Sequence, residues 1–190
     1  MTTNYSTYTD AELYAHLLGE KAERDVAFQE IYQRHSSRVF LYCRKILGDP
    51  TLADDAFQET FALFVRSISP DREMTNLPAF LLRIARNCCL RMKEKDSQHP
   101  TMTFNEAMHF GEMGDQPVES EELAKLISMA LDLLPDDQRE ALVLQAYEGL
   151  SYNEIAELMH VPISTVRNWV VRAKSKVRAT LQPYWADYRK

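Results

Sequence analysis

From Gly149 to Lys174 the chain reads GLSYNEIAELMHVPISTVRNWVVRAK, a pattern of two helices joined by a short turn. Ser151 followed three residues later by Glu154 is a capping-box pattern that opens a helix. Ile155, Ala156 and Leu158 give that helix an inner side, and Ala156 is small enough for a second helix to approach closely. His160 and Val161 supply a turn. Pro162 then stands at or near the first position of the next helix, where its missing N–H costs no hydrogen bond and its ring presets φ. Val166, Val170, Ala173 and Val177 recur at the spacing of a buried stripe. The other side carries Ser164, Arg167, Asn168, Val171 and Arg172, followed by Lys174, Lys176 and Arg178; between Pro162 and Gln182 there are five bases and no acid. Arg and Asn can make bidentate contacts to guanine and adenine edges in the major groove. Ser164 and Thr165 lie near a helix N-terminus, whose backbone N–H groups suit phosphate contact. This is the pattern of a helix-turn-helix whose second helix reads duplex DNA. Trp169 is expected to pack partly at the surface of this domain.

The rest of the chain also reads as helix. Thr9 and Glu12 form a second capping box ahead of Leu13, Leu17 and Leu18, and Gly19 suits a stop. From Val26 to Leu47 apolar residues recur every three or four positions, through Ala27, Phe28, Ile31, Tyr32, Val39, Phe40, Cys43 and Ile46. Gly48, Asp49 and Pro50 end that helix. A third runs from about Leu52 to Ile68, with Ala56, Phe57, Thr60, Phe61 and Phe64 on one side. After Ser69–Arg72 breaks the chain, a fourth spans about Leu77 to Lys95, with Leu81, Ile84, Ala85 and Cys88 inward. Further helices are expected over 121–134 and 137–147. No segment alternates with period two, so the expected fold is all-α, in two small helical domains.

Composition narrows the function. The chain has 190 residues, and 28 acids against 22 bases leave a net charge of −6, which argues against a generic DNA-coating protein. The charge is segregated. Residues 31–98 and 138–190 each carry +3, whereas 1–30 carry −4 and 99–137 carry −8. Residues 97–119, which include Pro100, Gly111, Gly114 and Pro117, read as a flexible acidic linker between domains at 1–96 and 120–190. No uncharged run exceeds nine residues, against the ~18 needed for a membrane span, and no secretory signal opens the chain. Cys43, Cys88 and Cys89 form no CxxC, and the five histidines are dispersed. A cytoplasmic protein without metal or other cofactor is expected. No nucleophile–base pair or phosphate loop suggests an enzyme, and no small-molecule substrate is indicated.

Four stretches converge on one family: Gly48–Phe61 (GDPTLADDAFQETF), Phe80–Asn87 (FLLRIARN), Leu134–Ala141 (LPDDQREA) and Tyr147–Ala156 (YEGLSYNEIA). In this order and spacing they resemble the bacterial sigma-70 superfamily. The short length and the presence of two domains only resemble its extracytoplasmic-function branch. The resemblance covers about residues 9–95 and 121–182. It implies a noncatalytic subunit that binds core RNA polymerase, recognises promoter elements near −10 and −35, and starts DNA melting. An anti-sigma factor is an implied partner.

By the same resemblance, Asp54, Asp55, Gln58, Glu59 and Phe61 match the polymerase-binding motif. Melting needs cationic side chains and aromatic platforms for unstacked bases. Arg83, Arg86, Asn87 and Arg91 supply the cations, with Lys93 beyond and Phe80 at the start. The loop Ser69–Pro78, with Arg72 and Asn76, stands where the family captures a flipped −10 base. The −35 element would be read by Ser164, Thr165, Arg167, Asn168 and Arg172. The family often has Trp in place of Phe80 and Val65, Ser in place of Pro162 and Gly in place of Ser164. The last two departures bear on which −35 sequence is preferred. The residues alone leave two rivals open. One is a helix-turn-helix regulator acting without polymerase, and the other is an inactive sigma-like adaptor or decoy.

Overall fold

The computed structural model describes residues 5–98 and 118–185, with side chains over 5–95 and 122–184. Within them every regular element is helical: a 3-10 turn at Tyr5–Thr7, then α1 (Asp10–His16), α2 (Lys21–Leu47), α3 (Pro50–Arg66), α4 (Leu77–Gln98), α5 (Val118–Asp132), α6 (Asp136–Ala146), α7 (Tyr152–Met159) and α8 (Ile163–Trp185). The backbone divides into two compact units, Met1–Lys95 and Asp96–Lys190. Most of the expected linker and the end of the C-terminal tail lie outside the described residues. The two ends of that linker are helical, since α4 continues through Gln98 and α5 starts at Val118.

In the N-terminal unit α1 and α3 pack on the long α2. Thr9 caps α1 with the reciprocal bonds expected of a capping box: its hydroxyl accepts from the Glu12 N–H, and the Glu12 carboxylate accepts from the Thr9 N–H at 2.7 Å. Gly19 is not a left-handed stop. The helix ends at His16 with Leu17 in the right-handed region, and a Cβ at Gly19 would fall 2.7 Å from the Glu23 carboxylate. Helix α2 starts at Lys21, five residues before the apolar period begins, because its first turn is solvated and leaves no hydrophobic trace. Gly48, at φ +73°, ends it, and the Asp49 carboxylate caps α3 by accepting from the Leu52 N–H at 2.9 Å. Phe28, Tyr32, Phe57 and Phe61 form an aromatic cluster between α2 and α3, with ring centroids as close as 4.8 Å for Tyr32 and Phe61. Leu82 and Cys89 are as fully buried as Leu81, Ala85 and Cys88, so α4 presents a wider apolar face than the sequence spacing suggests, and Cys89 is no surface thiol.

In the C-terminal unit α5, α6 and α7 all pack on α8. Ser151 caps α7 with a second full capping box. His160 ends α7 in the left-handed region (φ 57°, ψ 44°), a conformation that His tolerates better than a β-branched residue would. The Val161 N–H returns to the Ala156 carbonyl at 3.1 Å, and the Pro162 carbonyl accepts from Thr165 and Val166 to start α8. Val166, Val170 and Ala173 are fully buried, and Leu181 extends their stripe beyond the half-buried Val177. Burying each such Val or Leu stabilises the unit by about 1.5–3 kcal/mol.

Candidate nucleic-acid interface

The buried stripe of α8 orients its opposite face. With Val166, Val170 and Ala173 inward, Ser164, Arg167, Asn168 and Arg172 are exposed, and Thr165 is half-buried. Among the described residues no side chain pairs with Arg167, Asn168 or Arg172. Guanidinium and amide forks on an exposed helix face have the donors and acceptors that match base edges in a groove. Not every base on α8 is available. Lys176 donates to the Leu133 carbonyl at 2.6 Å, which ties α8 to the end of α5. Trp169 is half-buried.

The basic side of α4 is more engaged. Arg83 and Asn87 are exposed, and Arg86 is half-buried with an interaction of its own. Arg91 instead pairs with Glu59 of α3 at 2.9 Å and reaches the Cys88 sulfur at 3.6 Å. These contacts, the one to Cys88 foremost, hold the Arg91 guanidinium more firmly charged. Burial pushes the Cys88 thiol up, against the lowering effect of its Thr60 and Arg91 contacts, so it stays protonated. One expected DNA contact and one expected polymerase contact are therefore partners of each other.

The loop before α4 is held by contacts to the helices around it. The Arg72 guanidinium lies over the Phe80 ring, 4.5 Å from its centroid, and Phe64 meets the same ring edge-on. The Asn76 side chain caps α4 by accepting from the Ala79 N–H at 3.0 Å. Met74 plugs the loop into the core, 9% exposed.

On α3, Asp54, Asp55 and Gln58 are exposed on one side, with Glu59 half-buried beside them. Phe61 does not share that side. It is 5% exposed and belongs to the aromatic cluster beneath, so it can support the acidic face but cannot offer its ring to a partner. The spacing of Phe57, Phe61 and Phe64 already carries the signal for this, since all three fall on the inner side of one helix.

Some contributors have no sequence signature. Arg139 donates to the carbonyls of Leu131, Asp132 and Leu134 at 2.9–3.2 Å and so satisfies the open end of α5. Arg34 does the same for the N-terminal 3-10 turn, through the carbonyls of Tyr5, Ser6 and Tyr8 and the carboxylates of Asp10 and Glu30. His35 is buried beside Asp10, at 2.9 Å; burial lowers its pKa despite that carboxylate, with Arg38 and Arg34 adding to the shift. Among the described residues no group of His, Cys, Asp or Glu is arranged to hold a metal ion. None of the described helices is long and apolar enough to cross a membrane.

Comparison with known proteins places the chain in a family. Sigma-70 region 2 matches residues 31–98, and sigma-70 region 4 matches residues 124–177. The chain is 32% identical over 184 residues to the RNA polymerase sigma-H factor of Pseudomonas aeruginosa, covering 85% of this chain and 95% of that one. It is 33% identical over 135 residues to the ECF RNA polymerase sigma factor EcfG of Rhodopseudomonas palustris, covering 70% and 74%. The chain belongs to the extracytoplasmic-function branch of the sigma-70 family. Two solved structures share its fold. The sigma factor RpoE of Bartonella quintana, in complex with the anti-sigma factor NepR, superposes with a TM-score of 0.68 at 22% identity, over 82% of this chain and 96% of that one. CnrH, in complex with the cytosolic domain of CnrY, gives 0.67 at 23%, over 92% and 97%. In sigma-factor terms, the region 2 match starts at Ile31 inside α2 and ends with α4, so α1 precedes it. The region 4 match takes in most of α5 and runs through the turn into α8.

Proposed function

We propose that this sigma factor directs promoter-specific initiation by dividing the work between its two units, residues 1–96 and 120–190, joined through 97–119. The exposed acidic side of α3, with Asp54, Asp55 and Gln58, docks on core RNA polymerase. The loop 69–76 with Arg72 and Asn76, together with Phe80, Arg83, Arg86, Asn87 and Arg91, engages the melted −10 strand. Stacking on an aromatic ring or a guanidinium plane suits an unpaired base of any identity. The outer side of α8, with Ser164, Thr165, Arg167, Asn168 and Arg172, reads the −35 duplex. The protein acts in the cytoplasm by binding, not by catalysis.

The observation that carries the reading is the face of α8, where four polar side chains capable of base and phosphate contact stand exposed, opposite three fully buried apolar ones. Two relatives of the same fold were captured with a partner protein, which supports an anti-sigma factor for this chain too. Run-off transcription with purified core polymerase on a promoter library tests the function. Transcripts that start at a common pair of −35 and −10 sequences, and only when the protein is added, are expected. A folded protein that binds core polymerase yet yields no transcript from any promoter would make it a decoy.

A further inference from the structure

The loop proposed to read the −10 element is hydrogen-bonded to α1 through Tyr14. Tyr14 is 3% exposed, with its ring in the core of the N-terminal unit and its hydroxyl directed at Ser69, 55 residues on in the chain. That hydroxyl accepts from the Ser69 N–H at 3.2 Å and donates to the Ser69 carbonyl at 3.4 Å. Ser69 is also the first residue of a turn. Its carbonyl accepts from the Arg72 N–H at 3.2 Å, and its hydroxyl accepts from the Asp71 N–H at 3.3 Å. Pro70, with φ preset, occupies the second position of that turn. Arg72 is its fourth residue and lays its guanidinium on Phe80. A continuous path of contacts therefore runs from α1 through Tyr14, Ser69 and the turn to the Arg72–Phe80 stack, while Asn76 fixes the far end of the loop on α4.

We infer that Tyr14 is a positioning residue for base capture at the −10 element: its hydroxyl sets where the Ser69–Arg72 turn sits and thereby where Arg72 meets the Phe80 ring. The inference rests on the proposed role of the loop and deepens it. Tyr14 is buried and touches no nucleic acid itself; it acts on the base only through the turn. Two hydrogen bonds to one backbone residue fix both the distance and the rotation of that residue, which a single bond or an apolar contact would leave free. A guanidinium stacked on an aromatic ring offers a flat face and a fork of donors in one plane, so a small shift of the turn alters which base edge meets those donors.

The test uses the full chain with core polymerase and a promoter library randomised across the −10 element, with the −35 element held at the sequence the wild-type protein selects. Tyr14→Phe keeps the ring in its buried site and removes only the hydroxyl. Discrimination between the preferred base and the other three at the captured position is expected to fall roughly three- to tenfold, the scale of one or two neutral hydrogen bonds. Affinity for core polymerase and the −35 preference should stay at wild-type values. An unchanged −10 profile, or a uniform loss across all −10 variants that follows a lowered melting temperature, would overturn the positioning role. Arg72→Ala separates this from the underlying reading. If Arg72→Ala flattens the −10 profile and Tyr14→Phe does not, the loop reads bases and Tyr14 does not position it. If Arg72→Ala also leaves the profile untouched, the loop is not the base reader and both ideas fall.

Discussion

On α8, Arg167 and Arg172 stand clear of the protein, and no described side chain pairs with either. In the N-terminal unit Arg91 is matched to Glu59, Arg72 lies on Phe80, and Asn76 caps α4. The first surface can meet a formed duplex groove with no internal contact to break. On the second, Arg83 and Asn87 are exposed, but Arg91, Arg72 and Asn76 must exchange contacts they already have, so a nucleic acid engages those three only by offering more than those contacts supply. An unpaired strand held in place by polymerase does so, because exposed bases add stacking to phosphate charge. On the proposed roles, the two surfaces differ in how much each would depend on the polymerase, and that difference can be attacked.

The largest expected effect falls on the scaffold behind α8. Arg139→Ala removes three carbonyl contacts at the end of α5. It should destabilise the C-terminal unit by about 2–3 kcal/mol, read by urea unfolding, since the bonds come from a charged donor. A loss seen equally in both units would mean that Arg139 does more than close α5. Next comes the open surface itself. Arg167→Ala should cost about 1–3 kcal/mol at one −35 position and relax the base preference there, measured by holoenzyme binding to single-base variants. A uniform weakening would make Arg167 a phosphate contact. Ser151→Ala breaks the α7 capping box and should cost about 1 kcal/mol of stability, with −35 preference retained. The smallest effect belongs to the closed surface. A double-mutant cycle with Glu59→Gln and Arg91→Gln in the free protein should give a coupling of at most ~1 kcal/mol that shrinks with added salt, because both partners are partly exposed. A larger, salt-insensitive coupling would mean that the pair is a structural lock and that Arg91 is not available to DNA.

Burial of His35 adds a pH dependence to the N-terminal unit alone. Its pKa is lowered from 6.5, so the unfolded chain takes up the proton first. The stability contributed by neutral His35 is present above about pH 6.5 and is lost as pH falls through the lower folded value. Replacing His35 with Gln should flatten that slope in urea titrations between pH 7 and about pH 5.

Local patterns carried much of this into the sequence. Both capping boxes, the turn after α7, the α8 stripe and the outward set Ser164, Arg167, Asn168 and Arg172 are all set by neighbours within one or two helical turns, where spacing is informative. What escaped was tertiary. Arg139 meets backbone carbonyls, which have no residue identity to recognise. Glu59 and Arg91 stand on different helices, and Tyr14 and Ser69 are separated by most of the unit, so no period links them. Phe61 is a different case. Its place in a motif assigns it to the polymerase face, whereas its spacing from Phe57 and Phe64 puts it in the core, where the structure has it. The net acidity of the chain is concentrated at 1–30 and 99–137, outside the two basic blocks, so it bears on how the free protein behaves rather than against DNA binding as such.

The most direct measurement compares the free protein with its core-polymerase complex on the same promoter fragment across a salt series. Weak, nonspecific association is expected for the free protein, and tight, promoter-specific binding only in the complex, with a permanganate-reactive −10 region. Tight, salt-steep binding of the free protein to random duplex DNA, at the level of the complex, would refute the division of labour between the two units.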